Sequence, residues 1–88
     1  LAAVAEQQGD NAKAVELFRE ALAIASFDYE KVILMGDLSR ALEAGGNNDE
    51  ALKVMDEIVE KFPEHPRTPL IKEHRAELRA RMQAGANG

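Results

Sequence analysis

One apolar pattern occurs twice in this chain, 37 residues apart, and it leaves little freedom in what the chain can fold into. Ala14, Leu17, Phe18, Ala21, Leu22 and Ala25 are spaced i, i+3, i+4, i+7, i+8 and i+11, which is one face of a helix with about 3.6 residues per turn. Adding 37 to each number gives Ala51, Val54, Met55, Ile58, Val59 and Phe62, all again apolar. Gly9 maps onto Gly46, and Leu1, Ala2 and Ala5 map onto Leu38, Ser39 and Leu42. Two copies of one helix–turn–helix unit account for the match. Neither copy buries its apolar face alone, so the hairpins are expected to stack side by side.

The punctuation agrees with the periodicity. Gly9-Asp10-Asn11 and Gly45-Gly46-Asn47-Asn48 interrupt the helical pattern, with glycine suited to the left-handed residue that closes a helix and Asp or Asn to the cap of the next. Asn47 and Glu50 have the spacing of a capping box. Pro63 and Pro66 end a helix, and Thr68-Pro69 reads as an N-cap followed by proline in the first turn. The expected helices cover about 1–8, 11–25, 28–44, 48–62 and 68–83, with a disordered tail over 84–88. In units, these are a partial hairpin over 1–25, a second hairpin over 28–62 and a capping helix over 68–83, forming one structural domain. Within 28–44, Val32-Ile33-Leu34-Met35 and then Leu38, Ala41 and Leu42 make two apolar stripes, so that helix is expected to be covered on two sides. The last helix has a sparser stripe of Leu70, Ile71, His74, Leu78 and Met82. It reads as a terminal cap with one face in water.

With 88 residues and no cysteine, the chain supports at most one small domain held without disulfides. No apolar run approaches the roughly 18 residues of a membrane-spanning helix. Leu1 is not methionine and falls within a helical pattern, so a trimmed piece of a longer protein is expected, with any leader or anchor upstream. Residues 1–66 carry 6 basic and 14 acidic side chains, whereas 67–88 carry 5 basic and 2 acidic. An acidic body of this kind argues against nucleic-acid binding, which needs clustered cations on phosphate.

In these residues the chain resembles the tetratricopeptide repeat, a helix–turn–helix unit of about 34 residues. Leu38 and Ser39 match its leucine and following small residue, Gly46 its turn glycine, Ala51 its close-packing alanine and Pro63 its terminal proline. Leu1, Ala2, Gly9, Ala14, Phe18 and Ala21 match in the first copy, where Ser26 replaces the proline. The extra length of this repeat lies between Leu22 and Leu38. Met35, Leu42 and Ile58 stand where the family favours tryptophan, tyrosine and alanine. The resemblance implies an all-α, antiparallel stack of helical hairpins, a fragment of an α-solenoid closed by a C-terminal capping helix. The stretches MGDLSRALEAGGNNDEAL and VEKFPEHPRTPLIKEHRAEL are also similar to the C-terminal repeats of bacterial envelope tetratricopeptide proteins. That likeness implies a periplasmic or membrane-anchored envelope location rather than the cytoplasm.

Reactive chemistry finds little support. His65 and His74 have no third or fourth ligand at zinc spacing, so His65 reads as a loop residue and His74 as a partly buried side chain of the last helix. Ser26 and Ser39 lack a nucleophile turn, and Ser39 stands where helices approach closely. Gly45-Gly46 has no phosphate-loop spacing to a Lys-Ser or Lys-Thr pair. No catalytic residue, metal site or cofactor is expected. Lys72, Arg75 and Arg79, with Arg67 and Arg81 nearby, could form an anionic docking stripe, but they read more simply as dipole-complementing charges with a Glu77–Arg81 pair at i,i+4. No aromatic residue interleaves with them to stack on single-stranded nucleic acid.

The resemblance further implies a concave groove lined by exposed positions of the first helix of each unit. Here those positions are Ile33, Gly36, Asp37, Arg40 and Glu43, with Ala3, Glu6 and Gln7 from the first copy. The Lys and Asn with which co-chaperone members clamp a terminal carboxylate are replaced by Gly36 and Arg40, so that ligand is not implied. The leading expectation is a non-catalytic scaffold that binds a partner peptide or helix in this groove. The alternative is a structural module that self-assembles as a homodimer or docks on upstream repeats through Leu1, Val4 and Ala5.

Overall fold

The computed structural model describes residues 10–87, with side chains to Gly85. The helix expected over 1–8, and with it Ala3, Glu6 and Gln7, lies outside the described residues. Four helices follow in order: α1 (Asn11–Ile24), α2 (Asp28–Ala44), α3 (Asn48–Lys61) and α4 (Thr68–Asn87). No strand occurs among the described residues. Each helix packs against the next through a short connection, giving an antiparallel all-α stack.

The two copies of the repeat bury equivalent positions. Ala14 and Ala51 are both fully buried, and Phe18 and Met55 are 4% and 1% exposed. Leu17 and Val54, like Leu22 and Val59, are half-buried at the edges of the two faces. Methyl-sized side chains at Ala14, Ala41 and Ala51 let α1 and α3 approach α2 closely, while Phe18, Leu38, Leu42 and Met55 fill the space between. A second group, Val32, Met35 and Ile58, continues the core toward the start of α2. As its two stripes imply, α2 is covered from both sides and buries Val32, Met35, Leu38, Ser39, Ala41 and Leu42. The Ser39 hydroxyl is satisfied inside its own helix, donating to the Gly36 carbonyl at 2.8 Å.

The caps explain where the helices turn. Asp10 caps α1 by accepting from the Lys13 N–H at 2.9 Å. Gly46 closes α2 in the left-handed region at φ 85°, with its N–H on the Glu43 carbonyl and the Asn47 N–H on the Leu42 carbonyl. That pair of bonds sets the path into α3. Asn47 occupies the N-cap position but its side chain makes no capping bond, so the expected capping box with Glu50 does not form. Thr68 is also not an N-cap. It is the first residue of α4, almost fully buried, and its hydroxyl donates to the Phe62 carbonyl at 2.6 Å, tying the start of α4 to the end of α3. Finally, α4 continues to Asn87 where a disordered tail over 84–88 is expected. Alanines flank the single Gly85 and no proline follows Pro69, so nothing in the local sequence stops the helix.

Candidate functional site

A groove of about 780 Å3 runs between α2 and α4. One wall comes from the face of α2 singled out by sequence: Gly36, Asp37, Arg40 and Glu43 all line it. Ile33 does not; it is half-buried one turn earlier. The register gives the reason. Helices α2 and α4, separated by α3, run in the same direction, and Glu43 bonds to both His74 and Arg81. Counting back along both helices, Ile33 comes level with the loop before Thr68, where α4 offers no opposing wall.

The other wall is α4 itself, which the sequence reads as a terminal cap and not as part of the groove. Leu70, Ile71, His74, Arg81 and Met82 face the groove from it, and Arg67 lines the groove from the connection just before its first turn. Their spacing is the helical stripe that the sequence reads as the packed side of a terminal cap, and which of these side chains stay open depends on how α4 meets α2 and α3. Leu78 does enter the core at 2% exposure, but Leu70 is 68% exposed. His74 is likewise exposed rather than partly buried, because its ring extends over the groove to Glu43.

Charge in the groove is organised around Glu43. His74 Nε2 lies 2.6 Å and Arg81 Nη2 2.8 Å from its two carboxylate oxygens. An ionised carboxylate only accepts, so Nε2 carries the hydrogen. Burial by itself pushes the Glu43 carboxyl up, but the hydrogen bonds from His74 and Arg81, with their charge, outweigh it and hold the group below the ordinary glutamate value. Arg40 pairs with Asp37 at 3.4 Å on the same wall. The expected Glu77–Arg81 pair is thus replaced by a contact between helices. Nor do Arg75 and Arg79 form a free stripe: both donate to Asp56 Oδ1 on α3 at 2.9 Å. Asp56 and Glu43 lie on different helices, so the cations of α4 divide between its two neighbours.

The remaining candidate residues sit apart from the groove chemistry. His65 braces the α3–α4 connection, its ring centroid 4.6 Å from that of Tyr29 and its Nδ1 accepting from the Arg67 N–H at 3.0 Å. Ser26 is exposed in the α1–α2 connection. No group of three or more His, Cys, Asp or Glu side chains converges on a metal position among the described residues. None of the described helices is long and apolar enough to cross a membrane. What the groove offers is a surface of apolar side chains with fixed charges at intervals, suited to recognition of another chain.

Comparison with known proteins agrees with the architecture. A family model described as tetratricopeptide repeat matches residues 1–68. No curated protein and no solved structure matches the chain significantly.

Proposed function

This chain belongs to the tetratricopeptide repeat family, and we propose that it acts as a non-catalytic scaffold holding a segment of a partner protein between α2 and α4. Repeats of this family generally mediate protein–protein contacts. The observation that carries the proposal is the groove itself, about 780 Å3 of open space lined by α2 on one side and α4 on the other. Both walls are helix faces, which hold their side chains in place before a partner arrives and so reduce the ordering cost of binding.

The absence of cysteine from the sequence makes the test direct. A single cysteine placed at Arg40 or Leu70, in the groove, and another at Glu60, on the exposed face of α3, each carry a photoreactive label. The groove positions are expected to cross-link the same partner in extract of the source cell, and Glu60 is not. Equal capture from all three positions removes the groove from the proposal. An envelope location is proposed only from the likeness of the stretches 35–52 and 59–78 to envelope proteins, and fractionation of the parent protein tests it.

A further inference from the structure

If the groove is the docking surface, as proposed above, its charges and exposed side chains restrict the occupant. The chain carries a net charge of −5, yet Arg40, Arg67 and Arg81 line the groove against only Asp37 and Glu43. Arg40 is answered by Asp37 and Arg81 by Glu43. Arg67 has no ion pair among the described residues. One turn along the same face stands Leu70, 68% exposed, leading to the half-buried Ile71 and Met82. On the facing helix Gly36 has no side chain, and a Cβ built there meets nothing within 4 Å. The groove therefore presents an unanswered cation beside an uncovered aliphatic surface, with open space at Gly36.

We propose that the occupant is an acidic, amphipathic segment of a partner protein, with a carboxylate against Arg67 and an aliphatic or aromatic side chain against Leu70, Ile71 and Met82. A basic segment would bury Arg67 beside a second cation, which is unfavourable at a desolvated interface. Covering Leu70 supplies the apolar contact, and the carboxylate supplies the charge the groove lacks.

The experiment titrates the full chain into two fluorescein-labelled short peptides, one of Glu, Leu and Ala and the other with Lys in place of every Glu. Arg67 and Leu70 are both exposed, so their variants keep the fold, which circular dichroism verifies. The Glu peptide is expected to bind, more weakly as salt is added. Arg67→Glu and Leu70→Asp are each expected to weaken it by about tenfold, whereas Lys72→Glu, which changes net charge outside the groove, leaves it unchanged. Equal or tighter binding of the Lys peptide, no binding of the Glu peptide, or indifference to Arg67→Glu overturns the proposal. If Leu70→Asp still weakens binding when Arg67→Glu does not, the groove reading survives and the acidic occupant fails; if neither matters, both fail. Sedimentation of the same samples identifies a second copy as occupant if the chain dimerises and Arg67→Glu makes it monomeric, which also overturns the proposal.

Discussion

Glu43 on α2 and His74 on α4, 31 residues apart in sequence, meet at 2.6 Å between the two walls of the groove. Arg81 reaches the other carboxylate oxygen of Glu43 at 2.8 Å. Because α2 and α4 are not consecutive in the stack, these bonds add a direct link between the walls to the packing of both helices on α3.

The Glu43 contacts give stability an acid-sensitive component. The folded-state carboxyl lies below its ordinary value, burial being outweighed by His74 and Arg81, so the unfolded chain takes up this proton at a higher pH than the folded one. The contribution is fully present above the ordinary glutamate value of 4.5 and is lost as pH falls through the lowered folded value. Glu43→Gln is expected to reduce stability at neutral pH by about 0.5–1 kcal/mol, given the partial exposure of its partners. Urea midpoints of the two proteins are expected to converge in acid. A constant gap across the titration would mean that packing, not charge, explains the loss.

The core makes a contrasting demand. Phe18→Ala and Met55→Ala, at equivalent positions of the two repeats and 4% and 1% exposed, are each expected to cost about 2–5 kcal/mol through lost burial and a residual cavity. Arg79→Ala is expected to cost less than about 1 kcal/mol, since its pair with Asp56 is exposed and Arg75 still reaches the same carboxylate. Urea denaturation of the three variants measures the ordering, and equal losses would misplace the core.

How much of this could be read in the sequence follows the range of each interaction. The 37-residue register of Phe18 and Met55 is a statement about periodicity, and the equivalent burial of the two residues follows from it. The two apolar stripes of α2 similarly identify a helix covered on both sides. The second wall of the groove was not legible, because the distance from Glu43 to Arg81 depends on how helices pack. Sequence spacing reveals only pairs on one helix, so it points to Glu77 for Arg81. Asn47 shows a limit at shorter range. The left-handed Gly46 and its bonded neighbours define the backbone there, and the Asn47 side chain is not needed to complete the turn.

Two glycines should respond with opposite signs to the same substitution. Gly36 lies in the interior of α2 with nothing within 4 Å of an added Cβ, so Gly36→Ala is expected to stabilise the fold by about 0.5–1 kcal/mol through helix propensity. Gly46 adopts φ +85°, and Gly46→Ala is expected to destabilise by about 1–2 kcal/mol through backbone strain despite equal open space. Thermal melts of both variants provide the comparison. Stabilisation by Gly46→Ala would contradict the α2–α3 turn.

Thr68 distinguishes a tie between helices from an ordinary helix cap. Its hydroxyl is 2.6 Å from the Phe62 carbonyl and its side chain is buried, whereas an N-cap hydroxyl accepts from an N–H of its own first turn. Thr68→Val keeps the volume and removes the donor. The Phe62 carbonyl still receives the His65 N–H at 3.2 Å, so it is not left without a partner, and the expected loss is about 1 kcal/mol. Thr68→Ser keeps the hydroxyl but deletes a buried methyl, for a comparable loss by a different route. Hydrogen exchange separates them: Thr68→Val should loosen the N–H groups of Phe62, His65 and Ile71 at the α3–α4 connection, while Thr68→Ser leaves their protection in place and lowers only the global stability. Identical exchange at that connection in the two variants would show that the hydroxyl bond does not hold α4 to α3, and the α4 wall of the groove would then rest on the packing of Leu78, Ile71 and Met82 and on the Asp56 and Glu43 contacts.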